Sequence, residues 1–119
     1  MQVAKRVLMM EFEELPTQTP ENLARLVLMA EDRVTTRTIV NDEHMVCELI
    51  ALPGGVELAP HIYRGDTLFL VLEGQADLSY PDHAERMEQG DAIEVRAGEA
   101  CVVAGACGSP VKLLRMTIH

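Results

Sequence analysis

The sequence is poor in aromatic residues: it has no tryptophan, and Phe12, Tyr63, Phe69 and Tyr80 are the complete set. Recognition of sugars and unstacked bases leans on aromatic platforms, so little here favours either. Basic residues are scarce as well. Ten Lys and Arg stand against nineteen Asp and Glu, a net charge of −9, and no block of Lys and Arg offsets this locally. Nucleic acid and anionic membranes would be repelled. No apolar run approaches the ~20 residues that a membrane helix needs. Val7 to Met10, behind Lys5 and Arg6, is too short for a signal-peptide core, which predicts a cytoplasmic protein. Cysteine is limited to Cys47, Cys101 and Cys107, an odd number without CxxC spacing. That excludes a zinc knuckle and a dithiol redox motif, and reduced thiols are the default in the cytosol. Long helical periodicity, internal repeats and low-complexity segments are also missing.

What is present is apolar residue in quantity, 48 % of 119 residues, enough for one domain over residues 1–119 with a single core. Seven methionines add adaptable filling. The first thirty-three residues read as an N-terminal arm with edge strands. Val7 to Phe12 is an edge-strand candidate, Pro16 and Pro20 make a linker, and Leu23 to Leu26 is one helical turn. Val34 to Val40 is almost wholly β-branched and predicts a strand. Met45 to Leu52 is another, stopped at Pro53-Gly54-Gly55.

The organising stretch is Pro53 to Gly74. It runs from a glycine turn to a polar corner holding Pro60 and His61, then a second turn at Gly65 and the apolar strand Leu68 to Leu72. Further strands follow at Gln75 to Tyr80, Glu85 to Glu88, Ala92 to Arg96, Ala100 to Ala104 and Val111 to Ile118. Turn signals every 8–12 residues predict an all-β sandwich or barrel.

Two spacings stand out. Gly55 is followed by five residues and His61, then Tyr63, then Thr67 and, after six more residues, Gly74. Gly90 is followed by five residues and Arg96, then Gly98 and Cys101. Together they resemble the two motifs of the cupins, small double-stranded β-helix (jelly-roll) barrels, over roughly residues 34–118. The glycines match. The resemblance implies a divalent metal held by three histidines and a glutamate, and only His61 of these four is kept. Tyr63, Thr67 and Cys101 stand at the other three positions. A tyrosine with a pKa of about 10 and a neutral threonine are poor donors for iron or manganese. Cys101 as a thiolate suits a softer ion, but His61 and Cys101 alone fall short of the three or four ligands of a stable site. Asp66, one residue from the glutamate position, points to the opposite face of a strand.

The expectation is therefore a metal-free barrel without cofactor. It either binds a small, largely apolar molecule through His61, Tyr63, Thr67, Phe69 and Cys101 or serves as a dimeric scaffold. The alternative is a metal-dependent oxygenase, isomerase or decarboxylase with an atypical site built on His61 and Cys101. A regulator would need a helix-turn-helix segment, and none is present. His44, His83 and His119 read as exposed, Cys47 as filler, Cys107 as a loop residue, and Arg37 and Arg64 as surface charges. The strand Thr67 to Leu72 is apolar on both faces, so its outer face needs a cover. Residues 7–12, from the same or a partner chain, are the candidate, and a homodimer is expected because cupins commonly pair this way.

Overall fold

The computed structural model describes residues 12–62 and 64–119, with the backbone alone over 59–62. Nine strands follow one short 3-10 turn, Leu23–Leu26: β1 (Thr35–Asn41), β2 (Met45–Leu52), β3 (Glu57–Ile62), β4 (Thr67–Glu73), β5 (Ala76–Ser79), β6 (Ala84–Met87), β7 (Ala92–Val95), β8 (Ala100–Gly105) and β9 (Val111–Ile118). They form a five-stranded sheet in the order β1-β2-β9-β4-β7 and a four-stranded sheet in the order β3-β8-β5-β6. Every pairing is antiparallel. Strands β2 to β5 alternate between the two sheets and so do β6 to β9, with the β5–β6 hairpin kept inside one sheet, which makes a jelly-roll barrel. No helix among the described residues is long and apolar enough to cross a membrane.

Period-two alternation builds the core between the sheets. Ile50 and Leu52, Phe69 and Val71, Val111 and Leu113 come from the five-stranded sheet, and meet Ala76, Leu78, Met87, Cys101 and Val103 from the other. The remaining residues of β2 and β4 face the other way into a second cluster. There Cys47, Leu49 and Ala51 pack with Leu68, Leu70 and Leu72 and with Leu15, Leu23, Leu26 and Val27 of the N-terminal arm. Both faces of the central strands are thus apolar, as the sequence requires. The cover comes from residues 15–27 of the same chain. Phe12, expected in that role, is instead exposed, and positions 7–11 lie outside the described residues. Arg37 is not a free surface charge: its guanidinium donates to the carbonyls of Leu26 (3.2 Å) and Glu14 (2.7 Å), fastening the arm to β1.

The stretch Glu57–Ile62, expected as a polar corner, is a strand. It lies at the edge of its sheet, and its pairing with β8 breaks register between Leu58 and His61. Pro60, with no N–H to give, falls within that break, where an edge strand tolerates it.

The four glycines of the motif spacings all have positive φ: Gly55 (79°), Gly74 (87°), Gly90 (90°) and Gly98 (90°). They turn the chain from one strand to the next. At Gly74 space is also closed, because a Cβ would lie 2.7 Å from the carbonyl oxygen of Pro110.

Candidate functional site in the barrel interior

The connections 53–56, 74–75, 88–91 and 106–110 gather at one end of the barrel. Ala106 donates its N–H to Gln75 O at 2.9 Å, and Gly90 to Val71 O at 2.9 Å. The other end is tied by Asp66, whose carboxylate accepts from Ala97 N at 2.9 Å. Asp66 is thus spent on a turn, as its offset from the inward positions suggests.

Counted from the first end, Glu48, His61, Phe69, Cys101 and Arg115 each stand four residues into their strands. The pairings agree. Glu48 is opposite Arg115, Arg115 is opposite Phe69, and His61 is opposite Cys101. Tyr80 follows β5 at the same level and packs against the inner core. This layer separates the apolar floor from the next layer, where Thr67 pairs with Thr117 and Val95.

Thr67 is fully buried. Its hydroxyl donates to Gly65 O at 3.2 Å and shares a hydrogen bond of 3.1 Å with the Thr117 hydroxyl. Phe69 is fully buried below it, at the centre of the core. Cys101 is 3 % exposed. Burial pushes its thiol above the ordinary value, and the Glu99 carboxylate adds to this. The Tyr80 phenol is raised for the same first reason, with Cys101, Glu99 and Glu85 contributing after it. His61 is placed by backbone register alone, and Tyr63 lies outside the described residues.

Thr67 and Cys101 do not fit the family's metal. Thr67 is neutral and already hydrogen-bonded, and Cys101 is held as a thiol, whereas a metal ligand must be the thiolate. Among the described side chains, which do not include His61 or Tyr63, no three His, Cys, Asp or Glu come together where they could hold an ion. His44, His83 and His119 are exposed: His83 stacks on Tyr80 with ring centroids 4.7 Å apart, and His119 N donates to His44 O.

Sequence reasoning missed Glu48 and Arg115. Glu48 alternates with Ile50 and Leu52, and Arg115 with Val111 and Leu113, so both belong to the inner face. Arg115 donates from Nη2 (2.9 Å) and Nε (3.3 Å) to the same oxygen, Oε1 of Glu48. Each side chain is 20 % exposed. The signal was a single charge of opposite sign at the same depth in two otherwise apolar half-strands.

Two sheets closed over one core, with motif glycines at the corners, define a double-stranded β-helix. The chain has the fold of a small cupin. It resembles a cupin superfamily protein from Desulfitobacterium hafniense, at 26 % identity and a TM-score of 0.84 over 90 % of this chain and 96 % of that one. It also resembles a conserved protein of unknown function from Streptococcus pyogenes, at 20 % identity and a TM-score of 0.83, over 92 % and 95 % of the two chains. An RmlC-like cupin with a double-stranded β-helix from Methanocaldococcus jannaschii matches at 16 % identity and a TM-score of 0.66, over 77 % and 87 %. No family model and no curated protein matches the chain.

Proposed function

We propose that this cupin-fold chain is a metal-free, cytoplasmic, homodimeric barrel that binds a small molecule with an apolar body. One observation carries the reading. At the positions where the family keeps its metal ligands, Thr67 and Cys101 offer a spent hydroxyl and a protonated thiol beside an apolar floor. An apolar wall with a few polar groups at its mouth is the usual make-up of a small-molecule site. Dimerisation is supported by the apolar side chains left outside the core: Phe12, Leu28, Met29 and Ile118 are exposed, and Ile118 lines a shallow outer depression. The deciding measurement is metal analysis of protein purified without a metal-affinity tag, joined to a search for barrel-bound molecules by native mass spectrometry. The expected result is far below one equivalent of metal, with an organic adduct. One tightly held ion per chain after chelator dialysis would replace this reading.

A second reading, an enzyme using Cys101, is favoured by the direct pairing of His61 with Cys101. An imidazolium beside a thiol lowers its pKa and makes it nucleophilic. Burial and Glu99 push the other way, so the binding reading stands ahead.

A further inference from the structure

A container for apolar molecules has no need of an ion pair on its inner wall, yet Glu48 and Arg115 stand there, one layer above Ile50 and Leu113 and beside Phe69. Stability does not demand the pair. Replacing such a buried pair with apolar residues of similar volume is often neutral or stabilising. We infer that Glu48 and Arg115 recognise the head of the bound molecule, and that this head is a neutral group that both accepts and donates hydrogen bonds, a carboxamide or lactam.

Geometry and charge give this chemistry. Both Arg115 contacts fall on Oε1, so Glu48 Oε2 and the Nη1 side of the guanidinium take no part in them. No fully buried side-chain nitrogen or oxygen among the described residues lacks a partner, and both side chains keep 20 % exposure, so solvent reaches this edge. A carboxamide laid against it accepts from Arg115 through its oxygen and donates to Glu48 through its nitrogen. The pair is internally neutral. No other Lys or Arg among the described strand residues shares the inner face, and the chain carries −9 overall. A carboxylate head would therefore leave a negative charge without compensation beside the apolar floor, which is costly. An ammonium head would likewise leave a positive charge without compensation beside the neutral pair.

The inference rests on the barrel-binding reading, and its test separates the two. The isotope-labelled full chain is titrated with hexanamide, hexanoate and 1-hexanol, which share a tail and differ in the head, and backbone amide shifts are followed at Phe69, Cys101 and Val103. Hexanamide should bind about tenfold more tightly than either rival, the ratio expected of one net charge-assisted hydrogen bond. The double variant E48L/R115M should lose that preference and keep its affinity for 1-hexanol. Hexanoate binding as tightly as hexanamide, or a preference that survives in the double variant, overturns the inference and leaves the barrel reading in place. No shift at the three amides with any probe overturns both. If the double variant fails to fold, the ranking of the three heads on the unaltered chain decides alone.

Discussion

Cys101 and His61 stand directly opposite each other across the β3–β8 pairing. The thiol is nonetheless buried and held protonated, while Cys107 is exposed in the turn 106–108. A bulky aromatic disulfide reagent at pH 7 should therefore label Cys107 quickly and Cys101 slowly. The variant C107S should lose the fast phase. Fast labelling of Cys101 below pH 7, abolished by H61A, would establish a thiol–imidazole pair and put the enzyme reading first.

Removing one member of the Glu48–Arg115 pair leaves the other charged group half-buried without its partner. Both E48A and R115A should destabilise the fold, and the double variant should cost less than their sum. The coupling expected from a denaturant-based double-mutant cycle is about 1–3 kcal/mol. A sum that is strictly additive would show the pair to be energetically idle.

Gly74 and Gly90 share nearly the same φ, but only Gly74 has a backbone oxygen where a Cβ would go. G90A should cost about 1–2 kcal/mol, the strain of the left-handed region alone. G74A should cost clearly more, because the segment at Pro110 must shift as well. Equal losses in urea unfolding would mean that the contact relaxes freely.

Cys47, Cys101 and Tyr80 all have acidities weakened chiefly by burial. A group with a raised folded pKa contributes stability that is complete below its unfolded pKa and lost as pH climbs through the folded one. The unfolded values are about 8.5 for the thiols and about 10 for the phenol. The melting temperature should therefore fall as pH rises above about 8, and C47A/C101A should flatten the first part of that decline. A melting temperature constant to pH 11 would contradict it.

Light scattering at micromolar concentration should give the mass of two chains. Introducing aspartate at Ile118, on the outer depression, should shift the mass toward one chain without unfolding the barrel. A single-chain mass for the unaltered protein would refute the homodimer.

The strands were readable where each half of the alternation had one meaning. Met45–Leu52 and Val111–Ile118 end where proline, glycine or turn residues stop them, and their bounds coincide with the sequence reading. Glu57–Ile62 was not readable, because Pro60 argues against a strand until the edge position and register break are known. Motif spacing put Cys101 together with Thr67 above Phe69, whereas the strand register sets Cys101 level with Phe69 and Thr67 one layer further on. The Glu48–Arg115 pair did not follow from spacing, since the two charges are 67 residues apart and only the β2–β9 register brings them together. Arg37 was misjudged for a similar reason: its partners are main-chain carbonyls, which carry no mark in the sequence.

The corners at one end meet backbone to backbone. A Cβ on Gly54 would strike Gly108 O, one on Gly74 would strike Pro110 O, and one on Gly105 would strike Ser109 O. Nothing there can widen without moving main chain. The opposite end is clamped in the same way, since a Cβ on Gly65 would strike Ile118 O. The barrel is thus a tube crimped by main chain at both ends, and alanine at Gly54, Gly65 or Gly105 should cost stability that no side-chain repacking recovers.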